Sequence, residues 1–162
     1  MSEAVQSQTV LEEDSQKDKY LTFIVDGETY GIEIRHVTEI IGLQKITPVP
    51  DLPDFVRGII NLRGKIIPVM DMRLRFNKPL KEYHERTCII VVDFRELSIG
   101  LIVDSVAEVV NIPAVAVAAP PELTRRGNRF IMGIGQVSGE VKLLLDIEKL
   151  LTDEEAEQLI NN

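Results

Sequence analysis

The sequence predicts an all-β protein made of two small barrels that share an interface. From Tyr20 onward, short runs rich in Val and Ile alternate with Gly, Pro and Asp, a pattern typical of strands separated by turns. Two stretches of this pattern occur twice in the chain, with glycines, an aspartate and a phenylalanine in register. Each copy holds about five short strands, which suffice for a small barrel but are marginal as an isolated unit. We therefore expect two barrels within one domain rather than two independent domains.

The elements at the amino terminus follow from composition and spacing. Residues 1–18 are polar and acidic with few large apolar side chains, so we expect a disordered arm there. Strands are predicted at about 20–25 and 28–34, joined by a tight turn at Asp26-Gly27. After Ile34 the apolar spacing fits either a short helical turn or a bulged strand, and the residues leave both open.

The middle of the chain centres on a hairpin that begins at Gly58. Three prolines ahead of it predict a rigid connector, in which Pro53 could begin one helical turn that Gly58 ends. The turn Leu62-Arg63-Gly64-Lys65 separates the two apolar runs of the hairpin, which ends near Phe76. The polar loop NKPLKEYHER follows, and then two segments that are predicted to contain strands, TCIIVVDF and LSIGLIVDSVAEVV.

The carboxyl-terminal part contains a second hairpin and a helix. The Pro/Ala-rich connector IPAVAVAAPPELTRRGNRF leads to the Gly-interrupted pair of apolar runs GIGQVSGEVKLLLDI. Thr152 and Glu155 form a capping-box pattern, so we predict a helix or tail over residues 152–162. The single domain that holds both barrels is expected to span residues 19–155.

The two copies are related by two displacements along the chain. Gly31 in YGIEIRHVTEII aligns with Gly100 in IGLIVDSVAEVV, 69 residues later. Gly58 in GIINLRGKIIPVMDM aligns with Gly133 in GIGQVSGEVKLLLDI, 75 residues later. The longer connector in the second copy accounts for the difference. One duplication followed by one insertion therefore explains both displacements.

The alignment separates residues that the fold needs from residues that it does not. Asp71 and Asp146 are equivalent and each follows a strand, so we expect them to cap the next turn. The second hairpin turn keeps the glycine of the first but has Ser138 in place of Arg63. Arg63 is therefore either a solvated turn residue or a side chain that a rigid hairpin presents to a partner.

Composition and motifs disfavour several classes of function. Eighteen basic and twenty-six acidic residues leave a formal charge of −8, which argues against nucleic acid and anionic lipid as partners. No apolar stretch approaches the roughly 20 residues of a membrane-spanning helix. Cys88 lies in an apolar run and is expected to be inert, and His36 and His84 lack metal-ligand neighbours at helical or strand spacing. Since no phosphate-cradling or nucleophile-elbow motif occurs, we predict no cofactor, no metal and no enzyme activity.

Two further segments and the overall function each have alternative interpretations. Val106 and Val109 either fill the barrel or form an apolar groove for a partner helix. The basic cluster Arg125, Arg126 and Arg129 is either a solvated loop or a surface that steers partners. One alternative function is a small barrel that binds a soluble ligand, or performs an unrecognised hydrolysis, with carboxylates in an inter-barrel pocket.

The run FVRGIINLRGKIIPVMDMRLRF resembles the CheW family of bacterial chemotaxis adaptors, and YGIEIRHVTEI, GLIVDSVAEVV and LLDIEKLL support the match. The most specific element of the resemblance runs from Arg57 to Pro68. The resemblance implies a non-catalytic scaffold of two intertwined five-stranded SH3-like barrels, which couples the histidine kinase CheA to methyl-accepting chemotaxis receptors. It also implies a cytoplasmic protein that joins receptor arrays at the inner face of the membrane without inserting into it.

The same resemblance implies two sets of contact residues. The set expected to contact the regulatory domain of CheA is Val37, Glu39 and Gly58. The set expected near the groove that receives the helical cytoplasmic tip of a receptor is Arg63, Cys88, Val106 and Val109. Gly58 has a competing structural explanation, because glycine also permits close approach of two backbone segments.

Overall fold

The computed structural model describes residues 16–121 and 129–161 of the chain. Strands dominate this part of the chain, and short helices and 3-10 turns complete it. The strands are β1 Lys19–Val25, β2 Glu28–Glu33, β3 Val37–Gly42, β4 Val56–Leu62, β5 Lys65–Asp71, β6 Cys88–Phe94, β7 Leu97–Val103, β8 Ser105–Asn111, β9 Val117–Ala118, β10 Ile131–Val137 and β11 Glu140–Leu145. The helices are α1 Met72–Arg75 and α2 Asp153–Asn161, and the 3-10 turns are Ile34–His36, Ala114–Ala116 and Ile147–Lys149.

The strands form two sheets that exchange strands between the two sequence copies. Barrel 1 has the strand order β3-β6-β7-β5-β4, and barrel 2 has the order β8-β1-β2-β11-β10-β9. Barrel 1 therefore takes β3, β4 and β5 from the first copy and its central β6-β7 hairpin from the second. Barrel 2 does the reverse, with the two-residue β9 as an additional sixth strand. The predicted all-β fold of two intertwined barrels is confirmed.

Each barrel contains one parallel strand pair that joins the two sequence copies, β5–β7 in barrel 1 and β2–β11 in barrel 2. Gly31 of β2 lies beside Leu144 of β11, and Gly100 of β7 lies beside Val69 of β5. A Cβ atom on Gly100 would lie 2.7 Å from Cγ1 of Val69, and one on Gly31 would lie 3.0 Å from Cδ2 of Leu144. Both glycines thus leave room for a side chain of the neighbouring strand, which explains why both copies have one here.

The aspartates at the ends of the two hairpins also occupy equivalent positions. The backbone N–H groups of Asp71 and Asp146 donate to the carbonyls of Phe55 and Phe130, each at 2.8 Å. Each carboxylate accepts a hydrogen bond from the backbone N–H two residues later, at 2.8 Å for Asp71 and 3.0 Å for Asp146. Both aspartates therefore cap the turn that follows their strand, as predicted.

Three apolar clusters lie in and between the barrels. The interior of barrel 1 contains Ile60, Ile67, Val69, Ile89, Val91 and Ile102, and that of barrel 2 contains Tyr20, Val110, Ile112 and Leu144. The largest cluster, the shared core, lies between the barrels and includes Leu21, Phe23 and Val25 of β1 and Ile90, Val92 and Phe94 of β6. Because successive strand residues point to opposite faces, each central strand serves its own barrel with one face and the shared core with the other.

Two local predictions in the first copy are resolved by the structure. Between β2 and β3 the chain combines both alternatives: a 3-10 turn spans Ile34–His36, and β3 has a bulge between Val37 and Glu39. Pro53 begins a single hydrogen-bonded turn, which ends at Val56 rather than at Gly58 as predicted. The carbonyl of Pro53 accepts from the N–H of Val56 at 2.9 Å, and β4 begins at that residue.

The predicted capping box at the carboxyl-terminal helix is confirmed. The N–H of Thr152 donates to Oε1 of Glu155 at 2.8 Å, and the N–H of Glu155 donates to Oγ1 of Thr152 at 3.1 Å. Ala156 and Leu159 pack the helix onto the shared core. Most of the predicted disordered arm, residues 1–15, lies outside the described residues, as do Arg125 and Arg126 of the basic cluster.

Candidate partner-binding surfaces

The edge strands β3 and β8 present similar surfaces, one on each barrel. Val37 of β3 and Val106 of β8 are half-buried and pack against the shared core. The strand register shifts after each of these valines, between Val37 and Glu39 in β3 and between Val106 and Val109 in β8. After these shifts, the side chains of Ile40 and Val109 are 45% and 51% exposed. Each barrel thus displays one anchored valine and one exposed apolar side chain on its edge strand.

Glu39 and Arg63, which the family resemblance assigns to different partners, form an ion pair with each other. Nη2 of Arg63, in the β4–β5 turn, donates to Oε1 of Glu39 in β3 at 2.5 Å. The Arg63 side chain is 71% exposed and that of Glu39 is 29% exposed, so the pair lies on the surface. A surface pair of this kind contributes at most about 1 kcal/mol to folding stability. The pair biases the exposed guanidinium toward the β3 edge, next to the surface of barrel 1.

The turn that carries Arg63 does not require an arginine. Arg63 and Gly64 have φ angles of 52° and 88°, and Ser138 and Gly139 in the equivalent turn have 52° and 80°. A serine therefore adopts the same left-handed conformation in the second copy. The choice of arginine in the first copy has a cause other than turn geometry, and the contact with Glu39 is one such cause.

Cys88 and Val106 meet at the junction between the barrels. The half-buried thiol of Cys88, at the start of β6, lies against the backbone of Val106 in β8. Burial raises the pKa of the Cys88 thiol, and the hydrogen bond with the Val106 backbone offsets only part of that rise. Cys88 is therefore a neutral packing residue at neutral pH. Val109 follows on β8, so three of the four residues predicted for the groove occur here, whereas Arg63 lies on the hairpin of barrel 1.

Gly58 lies where two backbone segments touch. Its φ angle is 145°, and β4 has a bulge between Val56 and Gly58. The next residue, Ile59, exchanges two backbone hydrogen bonds of 2.9 Å with Thr47. A Cβ atom on Gly58 would lie 2.2 Å from the carbonyl oxygen of Thr47. The fold therefore requires glycine here, and a contact between this position and the kinase stays a prediction.

A buried arginine that the sequence analysis did not single out organises the crossover between the barrels. Nε and Nη2 of Arg73 donate to both carboxylate oxygens of Asp104, at 2.9 and 2.6 Å, and Nη1 donates to Asp26 at 3.1 Å. Asp104 is the single residue between β7 of barrel 1 and β8 of barrel 2. Burial alone would raise the pKa of Asp104, but hydrogen bonds from Arg73 and from the Asp26 backbone hold it below its usual range.

A second buried arginine joins both barrels to the carboxyl-terminal helix. The guanidinium of Arg75 lies between the rings of Phe55 and Phe130, 4.3 and 4.6 Å from their centroids. Its Nε donates to the carbonyl of Leu150 at 2.7 Å, and its Nη2 donates to Glu155 at 3.1 Å. Since the two phenylalanines precede the equivalent strands β4 and β10, one side chain contacts both copies and α2.

One cleft of the described structure lies beside Arg75, where residues of both copies and of α2 meet. It has a volume of about 460 Å³, and Asp54, Arg129 and Glu155 contribute its charged lining together with Arg75. Glu155 is already engaged by Arg75 and by the helix cap. Within residues 16–121 and 129–161, no group of three or more His, Cys, Asp or Glu side chains could hold a metal ion. No helix in the same part of the chain is long and apolar enough to cross a membrane.

Comparisons with known proteins place the whole domain in one family. Residues 19–155 match the model of the CheW-like domain. The chain is 36% identical over 138 residues to the chemotaxis protein CheW of Klebsiella aerogenes, which covers 85% of this chain and 83% of that protein. It is 33% identical over 130 residues to the CheW protein of Bacillus subtilis, covering 80% and 82% of the two chains.

A solved structure agrees with these relatives. The scaffolding protein TtCheW from Thermoanaerobacter tengcongensis superposes with a TM-score of 0.79 at 34% identity, covering 85% of this chain and 94% of that chain. The comparisons do not favour the alternative of a ligand-binding or hydrolytic barrel. This chain belongs to the CheW family and is a non-catalytic scaffold of chemotaxis signalling.

Proposed function

We propose that this chain couples the histidine kinase CheA to methyl-accepting chemotaxis receptors. The observation that carries the proposal is the repeated edge surface, which occurs once on β3 and once on β8. A scaffold that joins two different proteins needs a separate surface for each, so that both proteins can bind at the same time. The duplication supplies them on different barrels, and the exposed apolar residues Ile40 and Val109 give each surface area to bury.

The surface of barrel 1 is assigned to the regulatory domain of CheA. Val37 and Glu39 lie on its edge strand β3, and Gly58 lies in β4 at the other edge of the same sheet. Because Glu39 is bonded to Arg63, this surface has both a negative and a positive group in fixed positions. Fixed charges of this kind favour one orientation of a partner over others.

The junction between the barrels is assigned to the helical tip of a receptor. Val106 and Cys88 form its floor, and Val109 extends it along β8 with half of its side chain exposed. An amphipathic helix binds such a surface by placing apolar side chains at helical spacing into it. Arg63 belongs to the predicted receptor set yet is bonded to Glu39 of the kinase set, so substitutions in this pair are expected to affect both partners.

The location follows from the proposed partners. Receptor tips and the kinase meet at the cytoplasmic side of the membrane, so we place the chain in arrays at its inner face. The net charge of −8 supports attachment through proteins rather than through anionic lipid.

The experiment is a binding titration of the full chain with a CheA regulatory domain and with a receptor cytoplasmic fragment. The wild type is expected to bind both. Val109→Ser should weaken receptor binding about 10-fold, because it removes apolar area worth roughly 1.5 kcal/mol, and should leave kinase binding within about twofold. Val115, which is 96% exposed and lies outside the predicted sites, provides the control variant Val115→Ser. Absence of wild-type binding to either partner would overturn the proposal.

A further inference from the structure

A glutamate on the edge of barrel 2 lacks the arginine partner that its counterpart has on barrel 1. Glu108 follows Glu39 by 69 residues, and each lies on the edge strand of its barrel, two residues after the valine at which the strand register shifts. On barrel 2 the hydroxyl of Thr22 donates to the carbonyl of Glu108 at 2.7 Å and accepts from its N–H at 3.1 Å. The backbone of Glu108 is therefore well anchored, and its position is determined.

One substitution, serine at position 138 in place of the equivalent arginine, accounts for the ion pair that Glu108 lacks. The β10–β11 turn has the same φ angle at Ser138 as the β4–β5 turn has at Arg63. A serine side chain is shorter than that of arginine and carries no charge, so it cannot form the ion pair that Arg63 forms. In the described part of the chain, no hydrogen bond or ion pair engages the carboxylate of Glu108, which is exposed. The repeat thus contains the same acidic position twice. On barrel 1 the glutamate forms an ion pair with an arginine of the same chain, and on barrel 2 it has no such partner among the described residues.

The surroundings of Glu108 indicate what could fill the open place. The exposed residue Val109 follows Glu108 in β8. Val106, two residues before Glu108, packs against the shared core. A carboxylate on the same edge strand as an exposed apolar side chain suits a partner helix that carries both a basic and an apolar residue. The internal pair of Glu39 with Arg63 shows that a guanidinium reaches this position on the edge strand without distortion of the barrel.

We propose that Glu108 binds a lysine or arginine of the receptor helix, which takes the place that Arg63 occupies on barrel 1. The inference rests on the proposed coupling to receptors and extends it by naming the residue and the chemistry of its counterpart. Val109, on the same edge strand, contacts an apolar residue of the same helix. An arginine at position 138, where the second copy has serine, would compete with the partner for Glu108.

The first test removes the charge without changing the shape of the side chain. Glu108→Gln is expected to weaken binding of the receptor cytoplasmic fragment about 5- to 10-fold at low salt, and by less at high salt, because screening weakens the wild-type ion pair. Glu157→Gln, an exposed glutamate on α2, is the control for the change in net charge. Binding of the CheA regulatory domain should stay within twofold in both variants.

The second test rebuilds the internal pair on barrel 2. Ser138→Arg should bond to Glu108 as Arg63 bonds to Glu39, with little change in thermal stability. It should weaken receptor binding about as much as Glu108→Gln does. The double variant should be no weaker than the stronger single variant, because both changes remove the same contact.

The outcomes separate this inference from the proposed function. Wild-type failure to bind the receptor fragment overturns both. If the wild type binds the receptor fragment and Glu108→Gln binds it within twofold as tightly, only the role of Glu108 is overturned. The same conclusion follows if Glu108→Gln loses affinity for the kinase domain alone. The inference is supported if replacement of one basic residue of the receptor helix by glutamine weakens its binding to the wild-type chain. The same replacement should not weaken its binding to the Glu108→Gln variant.

Discussion

Arg73 donates two hydrogen bonds to Asp104 at the one residue that separates a strand of barrel 1 from a strand of barrel 2. The pair is largely buried, with 10% of the Arg73 side chain and 23% of the Asp104 side chain exposed. Asp104 also accepts the N–H of Asp26 at 2.9 Å, which ties the β1–β2 turn to the same point. This pair therefore determines where β8, with Val106 and Val109, leaves the shared core.

Replacement of Arg73 should be strongly destabilising. Arg73→Ala leaves the carboxylates of Asp104 and Asp26 close together without their cation, and loss of one partner of a buried pair costs about 3–5 kcal/mol. Urea unfolding measures the change. Arg63→Ala, which removes an exposed ion pair, should cost less than about 1 kcal/mol. A similar loss in both variants would contradict the role assigned to Arg73.

The same pair predicts a specific dependence of stability on pH. The folded protein holds the pKa of Asp104 below the value of about 3.9 expected for an unfolded chain. The resulting stabilisation is fully present above that value and is lost as the pH falls through the lowered pKa of the folded state. The difference in unfolding free energy between wild type and Asp104→Asn should therefore shrink between about pH 5 and pH 2. A difference that does not vary over this range would exclude the linkage.

A substitution at Gly58 should act on the fold before it acts on any partner. Gly58→Ala combines a φ angle of 145° with a Cβ atom 2.2 Å from a backbone oxygen, so we expect a loss of about 2–4 kcal/mol. Thermal melting measures it. Gly42→Ala, where the added Cβ meets nothing within 4 Å, is the control. If Gly58→Ala melts like wild type but binds the kinase poorly, the position acts through the interface instead.

The variant Arg63→Ser transfers the residue of the second copy into the first. Because Ser138 has the same φ angle, the turn should form normally and thermal stability should change little. If Arg63 is an interface hot spot, receptor affinity should fall by about 2 kcal/mol. Glu39→Gln, measured beside it, shows whether the arginine depends on its internal partner. Unchanged receptor affinity in Arg63→Ser would remove Arg63 from the receptor surface.

Loss of Arg75 should release the carboxyl-terminal helix. Arg75→Ala removes the contacts with Phe55 and Phe130 and the bonds to Leu150 and Glu155. Hydrogen exchange in residues 153–161 should become at least about 10-fold faster, since local opening then costs over 1.4 kcal/mol less. Arg95→Ala, which removes an exposed bond from Asp153, should change exchange far less. Equal effects would mean that Arg75 is not the main attachment of the helix.

Interactions between residues close in sequence made much of the architecture predictable. The turn at Asp26-Gly27, the caps at Asp71 and Asp146 and the capping box at Thr152 each depend on neighbouring residues, so short patterns suffice to recognise them. The repeat was visible because its glycines meet steric demands that recur in both copies. The sequence did not identify the roles of Arg73 and Arg75. The only signal was the pair of arginines at alternate positions after the capped strand, in MDMRLRF. Their hydrogen-bond partners lie 31 to 80 residues away.

The sequence was thus sufficient for the class of fold, the duplication and the family, whereas the residues assigned to partners stay predictions. Only the tertiary structure could show that Glu39 and Arg63 contact each other, that Cys88 lies against Val106, and that Glu108 has no equivalent partner among the described residues. The reason is physical. Turns, caps and strand periodicity depend on interactions between near neighbours, whereas ion pairs and junctions depend on how two exchanged sheets bring distant strands together.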